Sequence, residues 1–149
     1  MGEITVKEFV TVTIADQRFG IPVLSVQDVL TEQRLTHIPL APPEVAGALN
    51  LRGRTVTAID IRTRLGLDPR EEGATAMNVV VEYDGEPYSL MVDAVGDVMA
   101  LSDDDFEQNP ITLDQVWREL ADGLYRLEDG LLIAFDVSRL FTEEIIEAA

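Results

Sequence analysis

The sequence predicts an all-β protein made of two similar halves. Three observations support this: short stretches that alternate apolar with polar residues, turn signals between them, and a pattern that repeats along the chain. Short strands with regular turn signals are typical of barrels and sandwiches rather than of parallel sheets. Each half has about 70 residues and would bury little core alone, so the halves are expected to close into small barrels that pack together.

The composition limits the class of protein. The chain has 149 residues, of which 46% are hydrophobic, and it contains no cysteine, which excludes a disulfide scaffold and cysteine-based zinc sites. Its net charge of −17 repels nucleic acid and anionic lipid. The sequence contains neither a secretory signal at its start nor an apolar run of the ~20 residues that a membrane span needs. We therefore expect a soluble, cytoplasmic protein without nucleic-acid binding or membrane insertion.

The first strands precede a proline-containing loop. Alternating valine, threonine and isoleucine predict a strand at 10–14, and Phe19 and Ile21 belong to the next strand. Residues 23–30 have a spacing that fits either a strand or a short helical turn. A loop follows at 31–44.

The stretch 45–60 predicts a β-hairpin that turns at Arg52-Gly53 and ends at Asp60. Asp60 can cap the helical turn predicted at 61–65. Four arginines lie in or just after the hairpin of this otherwise acidic chain, namely Arg52, Arg54, Arg62 and Arg64. The hairpin is therefore predicted to carry the function, and the function to be docking rather than catalysis.

The pattern restarts after a linker at 67–75. With offsets of 69 and then 76 residues, the aligned segments are 10–30 with 79–99 and 46–61 with 122–137. This divides the single domain 1–149 into a first barrel half at about 8–66 and a second at about 76–141, with the C-terminal segment free to cross over.

The connector in the second half is seven residues longer and is predicted to hold a helix. Thr112 and Gln115 form a capping box at its start. Its buried face would consist of Val116, Trp117 and Leu120. A last short helix is predicted to follow Thr142.

The two copies act as an internal control. Two kinds of residue recur at equivalent positions, Gly47 with Gly123 and Asp60 with Asp136. The shared backbone explains both most simply, the glycines by an unusual φ angle and the aspartates by helix capping. Arg52 aligns instead with Glu128, so the fold accepts either charge there. Arg52 is therefore assigned to a partner, the alternative being a local salt bridge worth about 0–1 kcal/mol.

No catalytic residue is assigned. The single histidine, His37, lies just before Pro39, so a helix of the kind that carries a phosphotransfer histidine is not expected there. The remaining enzymatic alternative is a carboxylate pair, Asp60 with Asp93 or Asp136, performing acid–base catalysis. It requires the two carboxylates to share a cleft.

No metal site or cofactor is expected. Asp103 to Asp105 resemble the start of a calcium loop, but Gln108 stands where that loop needs glycine. A solvated, acidic helix start after Ser102 is expected instead. A small β-barrel that binds a ligand or nucleic acid is a further alternative, opposed by the charge and by the few aromatic residues.

An ordered set of motifs carries a family resemblance. The motifs are Phe19-Gly20-Ile21-Pro22-Val23, Val26-Gln27-Asp28-Val29-Leu30, Asn50-Leu51-Arg52-Gly53, Ile59-Asp60-Ile61-Arg62, Val92-Asp93-Ala94-Val95-Gly96-Asp97-Val98 and 131–140. Across nearly its full length the sequence resembles the CheW family of chemotaxis coupling proteins. The resemblance implies two linked five-stranded, SH3-like β-barrels and a non-catalytic adaptor. Such an adaptor bridges methyl-accepting chemotaxis receptors and the histidine kinase CheA, and is recruited to receptor arrays.

The resemblance also implies which residues meet each partner. The receptor-facing residues would be Val26, Asp28 and Arg52, with Gly47 and Gly53 shaping the backbone. The residues that help meet the regulatory domain of CheA, which shares this fold, would be Val29 and Leu30. The family often has glutamate where Asp28 stands. An isolated regulatory domain of such a kinase is the alternative within the family.

Overall fold

Strands dominate the computed structural model, which describes residues 5–108 and 113–149. The strands are, in chain order, β1 (Val6–Ile14), β2 (Gln17–Pro22), β3 (Val26–Leu30), β4 (Val45–Leu51), β5 (Arg54–Asp60), β6 (Met77–Tyr83), β7 (Glu86–Val92), β8 (Ala94–Ser102), β9 (Phe106–Glu107), β10 (Ala121–Leu127) and β11 (Gly130–Phe135). The α-helices are α1 (Ile61–Arg64), α2 (Gln115–Leu120) and α3 (Glu143–Ala148). Short 3₁₀ turns lie at Val23–Ser25, Asp103–Asp105 and Val137–Leu140. The all-β prediction is confirmed.

The strands form two sheets. One has six strands in the order β8-β1-β2-β11-β10-β9, and the other has five in the order β3-β6-β7-β5-β4. The last strand of the six-stranded sheet is β9, whose two residues pair with Leu124 and Tyr125 of β10. The sequence did not predict it, because two residues are too short for an alternation to show.

The two sequence halves exchange strands. β3 pairs with β6 and β8 pairs with β1, while β5 and β11 pair in parallel with β7 and β2. Each sheet therefore contains strands from both sides of the linker at 67–75. The predicted halves, 8–66 and 76–141, do not outline the two sheets. The repeat identified similar strands but carried no information on which partner each strand takes.

The repeat itself is visible in the details of pairing. Gly47 pairs with Ala58 in the β4–β5 hairpin, and Gly123 pairs with Ala134 in the β10–β11 hairpin. A bulge lies immediately before each of these pairs. Because a bulge bends and twists its strand, the two hairpins bend at equivalent positions.

The main core joins the two sheets. It includes Phe19 and Phe135 from the six-stranded sheet and Ile59 and Leu90 from the five-stranded sheet, all almost inaccessible to solvent. Phe19 stacks on Phe135 with ring centroids 4.8 Å apart. Burying such large side chains contributes roughly 1.5–3 kcal/mol each, so the joint between the sheets is the main source of stability.

Each sheet also holds a smaller cluster of its own, and the two clusters differ. Phe9 and Tyr125 meet edge to face at 5.3 Å in the six-stranded sheet. Asn78 stands at the position equivalent to Phe9, and its amide oxygen accepts a 2.8 Å hydrogen bond from Ser89 Oγ. Asn78 Nδ2 also donates to the Thr31 carbonyl at 3.1 Å, which ties the end of β3 to β6.

The helices begin close to where the sequence predicts. Asp114 caps α2 by accepting from the Val116 amide, whereas the predicted cap, Thr112, lies outside the described residues. Trp117 and Leu120 pack inward, but Val116 is 38% exposed, so its predicted burial is wrong. A short helix follows Thr142 as predicted, and the Thr142 side chain caps it by accepting from the Ile145 amide. Within 5–108 and 113–149, the structure contains no helix with the length and apolar character of a membrane span.

Candidate functional site

The β4–β5 hairpin ends in a two-residue turn. Leu51 pairs with Arg54, which leaves Arg52 and Gly53 as the loop, with φ angles of 51° and 84°. Two positive φ angles define a type I′ turn, the kind whose twist matches the flanking strands. The Gly53 amide donates to Asn50 Oδ1 at 3.0 Å, which fixes the turn further. The turn holds Arg52 in a left-handed conformation that is unfavourable for this residue by about 1–2 kcal/mol.

Arg52 forms an exposed ion pair with Asp28. Arg52 Nη2 lies 3.0 Å from Asp28 Oδ2, and the two side chains are 78% and 25% exposed. β3 and β4 are the two end strands of the five-stranded sheet, so this contact brings its two ends together. An exposed pair contributes about 0–1 kcal/mol to stability. The fold therefore depends little on Arg52, as the alignment with Glu128 suggested.

The other site residues on β3 differ in accessibility. Val26 is half-buried and packs against the main core. Val29 is 39% exposed, whereas Leu30 packs against the small cluster that contains Leu49 and Val56. Val29 thus offers an exposed apolar side chain on an end strand, whereas Leu30 packs toward the small cluster. Their roles in binding stay predictions.

Gly47 allows the loop after β3 to lie against β4. Thr36 and Ala48 exchange two backbone hydrogen bonds of 2.8 Å. A Cβ built on Gly47, whose φ is 153°, would lie 2.7 Å from the Thr36 carbonyl oxygen. Gly123 is similarly close-packed, since its Cβ would lie 2.6 Å from the Glu107 carbonyl oxygen. The predicted unusual φ angle is therefore found at Gly47, but it is wrong for Gly123, where only the close approach requires glycine.

Sequence reasoning missed Arg70. Its Nη1 lies 2.9 Å from Asp60 Oδ2, and its Nε lies 2.9 Å from Asp93 Oδ1, while its side chain is only 10% exposed. Arg62 completes the group with a 2.6 Å ion pair to Asp93. The segment 67–75, predicted as a linker, is thus fastened to the body of the protein. A lone arginine among turn-forming and acidic residues gave no local sign of this.

The same contacts bear on the acid–base alternative. Burial raises the pKa of the Asp93 carboxyl, but hydrogen bonds from Arg62 and the Ala15 amide, with the charges of Arg70 and Arg62, outweigh burial and hold the pKa below its usual value. Asp60 caps α1 by accepting from the Arg62 amide at 3.0 Å, as predicted. An Asp93 carboxyl held ionised in this way is a poor proton donor near neutral pH. The geometry therefore favours a structural role for both.

Asp136 also has a structural role. It accepts a 3.1 Å hydrogen bond from the Ser138 amide and forms an ion pair with Arg139 at 3.2 Å. It thus caps the turn Val137–Leu140, which matches the capping predicted for it. Its partners differ from those of Asp60 and Asp93, so no carboxylate pair involving Asp136 is supported.

The Asp93 contacts predict a dependence of stability on pH. The folded-state pKa is below the ordinary value of 3.8, so the ion pairs stabilise the fold fully above that value and lose their effect as the pH falls through the folded pKa. We expect the difference in unfolding free energy between the wild type and Asp93→Asn to be largest at neutral pH and to shrink below about pH 4. Urea titrations at both pH values measure it. An unchanged difference would show that Asp93 is not held ionised by these contacts.

The predicted acidic turn is found where expected. Ser102 Oγ accepts from the Asp104 amide at 3.2 Å and begins the turn Asp103–Asp105. In the part of the chain that the structure describes, no group of three or more metal-ligating side chains comes together. His37 is exposed in the loop before β4.

Comparisons with known proteins agree with this fold. The sequence profile of the CheW-like domain matches residues 8–144. A probable chemotaxis protein CheW from Rhizobium etli is 28% identical over 96% of this chain and 92% of its own length. The chemotaxis protein CheW of Klebsiella aerogenes is 27% identical, over 96% and 86%. The crystal structure of the scaffolding protein TtCheW from Thermoanaerobacter tengcongensis superposes with a TM-score of 0.84 at 26% identity, covering 95% of this chain and 96% of that one.

The fold and the relatives together define a chemotaxis protein of the scaffold and adaptor class. The chain belongs to the CheW-like domain family.

Proposed function

We propose that this chain is a non-catalytic adaptor that couples methyl-accepting chemotaxis receptors to the histidine kinase CheA. The observation that carries the proposal is the exposed guanidinium of Arg52, which lies on a type I′ turn next to Asp28. The fold depends little on this side chain. The proposal includes a cytoplasmic location with recruitment to receptor arrays. The relatives, which are named as a chemotaxis protein and a scaffolding protein, support the proposal.

The receptor would bind along the face that contains Val26, Asp28 and Arg52. In the described contacts, Arg52 uses only Nη2 for Asp28, so its other guanidinium nitrogens are available to a partner. A planar guanidinium can bind a carboxylate or two carbonyl oxygens with fixed geometry, which suits a helical receptor tip. Asp28 would hold the guanidinium in place before binding, which reduces the entropy lost on docking. Gly47 and Gly53 would shape the backbone of this face.

The regulatory domain of CheA would bind at the neighbouring end strand. Among the described strands β3 pairs only with β6, so its other edge forms no backbone ladder. Val29 on β3 has an exposed apolar side chain, and its neighbour Leu30 is half-buried against the small cluster. A small apolar anchor on an open strand edge is a common basis for protein docking. Receptor and kinase would thus occupy adjoining but different residues of the five-stranded sheet.

The proposal is tested with Arg52→Glu. We expect binding of a receptor cytoplasmic fragment to weaken about tenfold or more, because a cation central to an interface becomes an anion. Binding of the CheA regulatory domain should stay within about twofold, since Val29 and Leu30 are untouched. Titrations of each partner by calorimetry or surface plasmon resonance measure both affinities.

Two controls keep this test specific. Arg52→Asn removes the charge while favouring the left-handed turn, so a receptor defect shared by both variants reports the guanidinium and not a damaged hairpin. Val29→Asp should show the opposite pattern, with loss of CheA and not of receptor. Intact circular dichroism and melting together with unchanged receptor affinity in Arg52→Glu would overturn the assignment of this face.

A further inference from the structure

Leu40 lies in a turn that does not suit leucine. The Ala41 amide donates to the Ile38 carbonyl at 3.4 Å, which closes a turn over the two residues between them. These residues are Pro39 and Leu40, and Leu40 has a φ angle of 62°. Proline followed by a residue of positive φ is typical of a type II turn, whose third position favours glycine or asparagine. Leucine is unfavourable there, because its Cβ crowds the following carbonyl oxygen in the left-handed conformation.

Packing against the described residues does not offset this cost. The Leu40 side chain is fully exposed, so it buries no apolar surface against the rest of the chain. The other non-glycine residues of positive φ in the described ranges lie in two-residue hairpin turns, where the twist of the strands favours it, and they are Ala15, Asp16, Arg52 and Asp84. Leu40 lies in the loop between β3 and β4 instead. A strained and exposed apolar residue of this kind points to a contact outside the chain.

A groove beside Leu40 provides room for such a contact. The groove has a volume of about 450 Å³ and is lined by the loop 38–42 and by α3. The half-buried apolar residues that the loop contributes to its lining are Ile38, Ala41 and Pro42. The Val45 amide donates to the Pro42 carbonyl at 3.0 Å, which fixes the end of the loop at the start of β4. The groove is therefore formed before a partner arrives, which lowers the entropy lost on docking.

α3 gives the groove a negative charge. Glu144 and Glu147 line it, three residues apart and thus on one side of the helix. Both side chains are exposed, and neither forms an ion pair within residues 5–108 and 113–149. A second copy of this chain, with a net charge of −17, would be repelled from the groove. The apolar lining and the two carboxylates together suit a segment that is both apolar and cationic.

We propose that this groove docks a segment of a partner protein in which a large apolar side chain is flanked by lysine or arginine. The apolar side chain packs against Leu40 and the loop, and the flanking cations pair with Glu144 and Glu147. The inference goes beyond the proposed function and does not depend on it, since these residues are distinct from those assigned to the receptor and to CheA.

The test uses two fluorescent peptides as probes, one with a leucine flanked by lysines and one with the same leucine flanked by glutamates. Fluorescence anisotropy should show that the wild type binds the lysine peptide and not the glutamate peptide. We expect Glu144→Lys/Glu147→Lys to weaken binding of the lysine peptide about tenfold or more, because attraction in the groove becomes repulsion. The neutral variant Glu144→Gln/Glu147→Gln should lose affinity in the same direction, which covers the case in which two lysines disturb α3.

A control of equal charge separates the groove from general attraction to an acidic protein. Glu86→Lys/Glu128→Lys changes the net charge by the same amount at two exposed positions, one beside the β6–β7 turn and one in the β10–β11 turn. Its affinity for the lysine peptide should stay within about twofold of the wild type, since salt screens exposed charges that lie far from the groove. An equal loss in this control, or no binding of the lysine peptide by the wild type, would refute the docking groove.

Leu40→Asn separates docking from folding. Asparagine suits a positive φ, so the denaturant midpoint should stay unchanged or rise, while affinity for the lysine peptide should fall about fivefold or more. Urea titration and fluorescence anisotropy on the same preparation measure the two effects. A lower midpoint would show that the fold itself needs Leu40, and an unchanged peptide affinity would show that Leu40 contacts no partner. Either result contradicts the proposal.

Discussion

Neither half of the chain should fold alone. We expect fragments 1–73 and 74–149 each to lack a cooperative unfolding transition, and an equimolar mixture to recover one. β1 and β2 of the first fragment would lose their pairings with β8 and β11, and β6 and β7 of the second would lose theirs with β3 and β5. The main core, which draws on both sheets, would be divided between the fragments. Because stability is a small difference between large terms, losing these pairings and dividing the core removes it entirely.

Tryptophan fluorescence offers a direct readout of this experiment. Trp117 lies in the second fragment and packs edge to face on Phe19 of the first, with ring centroids 5.5 Å apart. Its emission should therefore shift only when the fragments are mixed. Circular dichroism melting of each fragment and of the mixture gives the independent measurement, with the intact chain as reference. A cooperative melt of fragment 1–73 alone would contradict the exchanged arrangement.

The second large effect is expected for Gly47→Ala. A Cβ at this position would lie 2.7 Å from the Thr36 carbonyl oxygen, a backbone atom held by its own hydrogen bond to Ala48. Relieving such a clash costs about 1–3 kcal/mol, and a φ of 153° adds a conformational penalty for any residue with a side chain. We expect an unfolding free energy lower by roughly 2–4 kcal/mol. Denaturant titration at neutral pH measures it.

Gly53→Ala is the matched control in the same hairpin. Gly53 also has a positive φ, of 84°, but apart from its own residue and its two chain neighbours no described atom lies within 4 Å of the point that its Cβ would occupy. In Gly53→Ala the unfolding free energy should therefore fall only by the conformational penalty of about 1–2 kcal/mol. Equal losses in the two variants would mean that the contact with Thr36 is not what requires glycine at position 47. Gly47→Ala is expected to act on folding. A change of receptor affinity in that variant would therefore report a shift of the loop at Thr36 and not the loss of a direct contact with the receptor.

Features set by neighbouring residues could be predicted from the sequence. The Arg52-Gly53 turn follows from a short loop between two alternating stretches, and the caps at Asp60 and Asp136 follow from aspartate placed just before a helical turn. The alignment of Arg52 with Glu128 predicted that the fold accepts either charge at this position, and the Arg52 side chain is 78% exposed. These signals all act within a few residues, where propensity and turn chemistry decide the conformation.

Features that depend on distant residues could not be predicted in this way. The choice between pairing β3 with β5 or with β6 leaves the alternation of each strand unchanged, so nothing in the local pattern distinguishes them. Arg70 lies in a segment with every mark of a flexible linker, yet it binds Asp60 and Asp93. The closeness of Arg52 to Asp28 arises because the two ends of a curled sheet meet. Such contacts follow from the assembled topology and have no signature in the segments that make them.

The exchanged pairing has a consequence for synthesis of the chain. Phe19 of β2 pairs with Ile133 of β11. Ile133 is therefore synthesised more than one hundred residues after Phe19. At about 5–20 residues per second, β2 waits roughly 5–20 seconds with one side unpaired. During that interval its apolar residues are exposed to chaperones and to other nascent chains. Folding yield in the cell should therefore depend on translation speed and on early protection of the N-terminal strands.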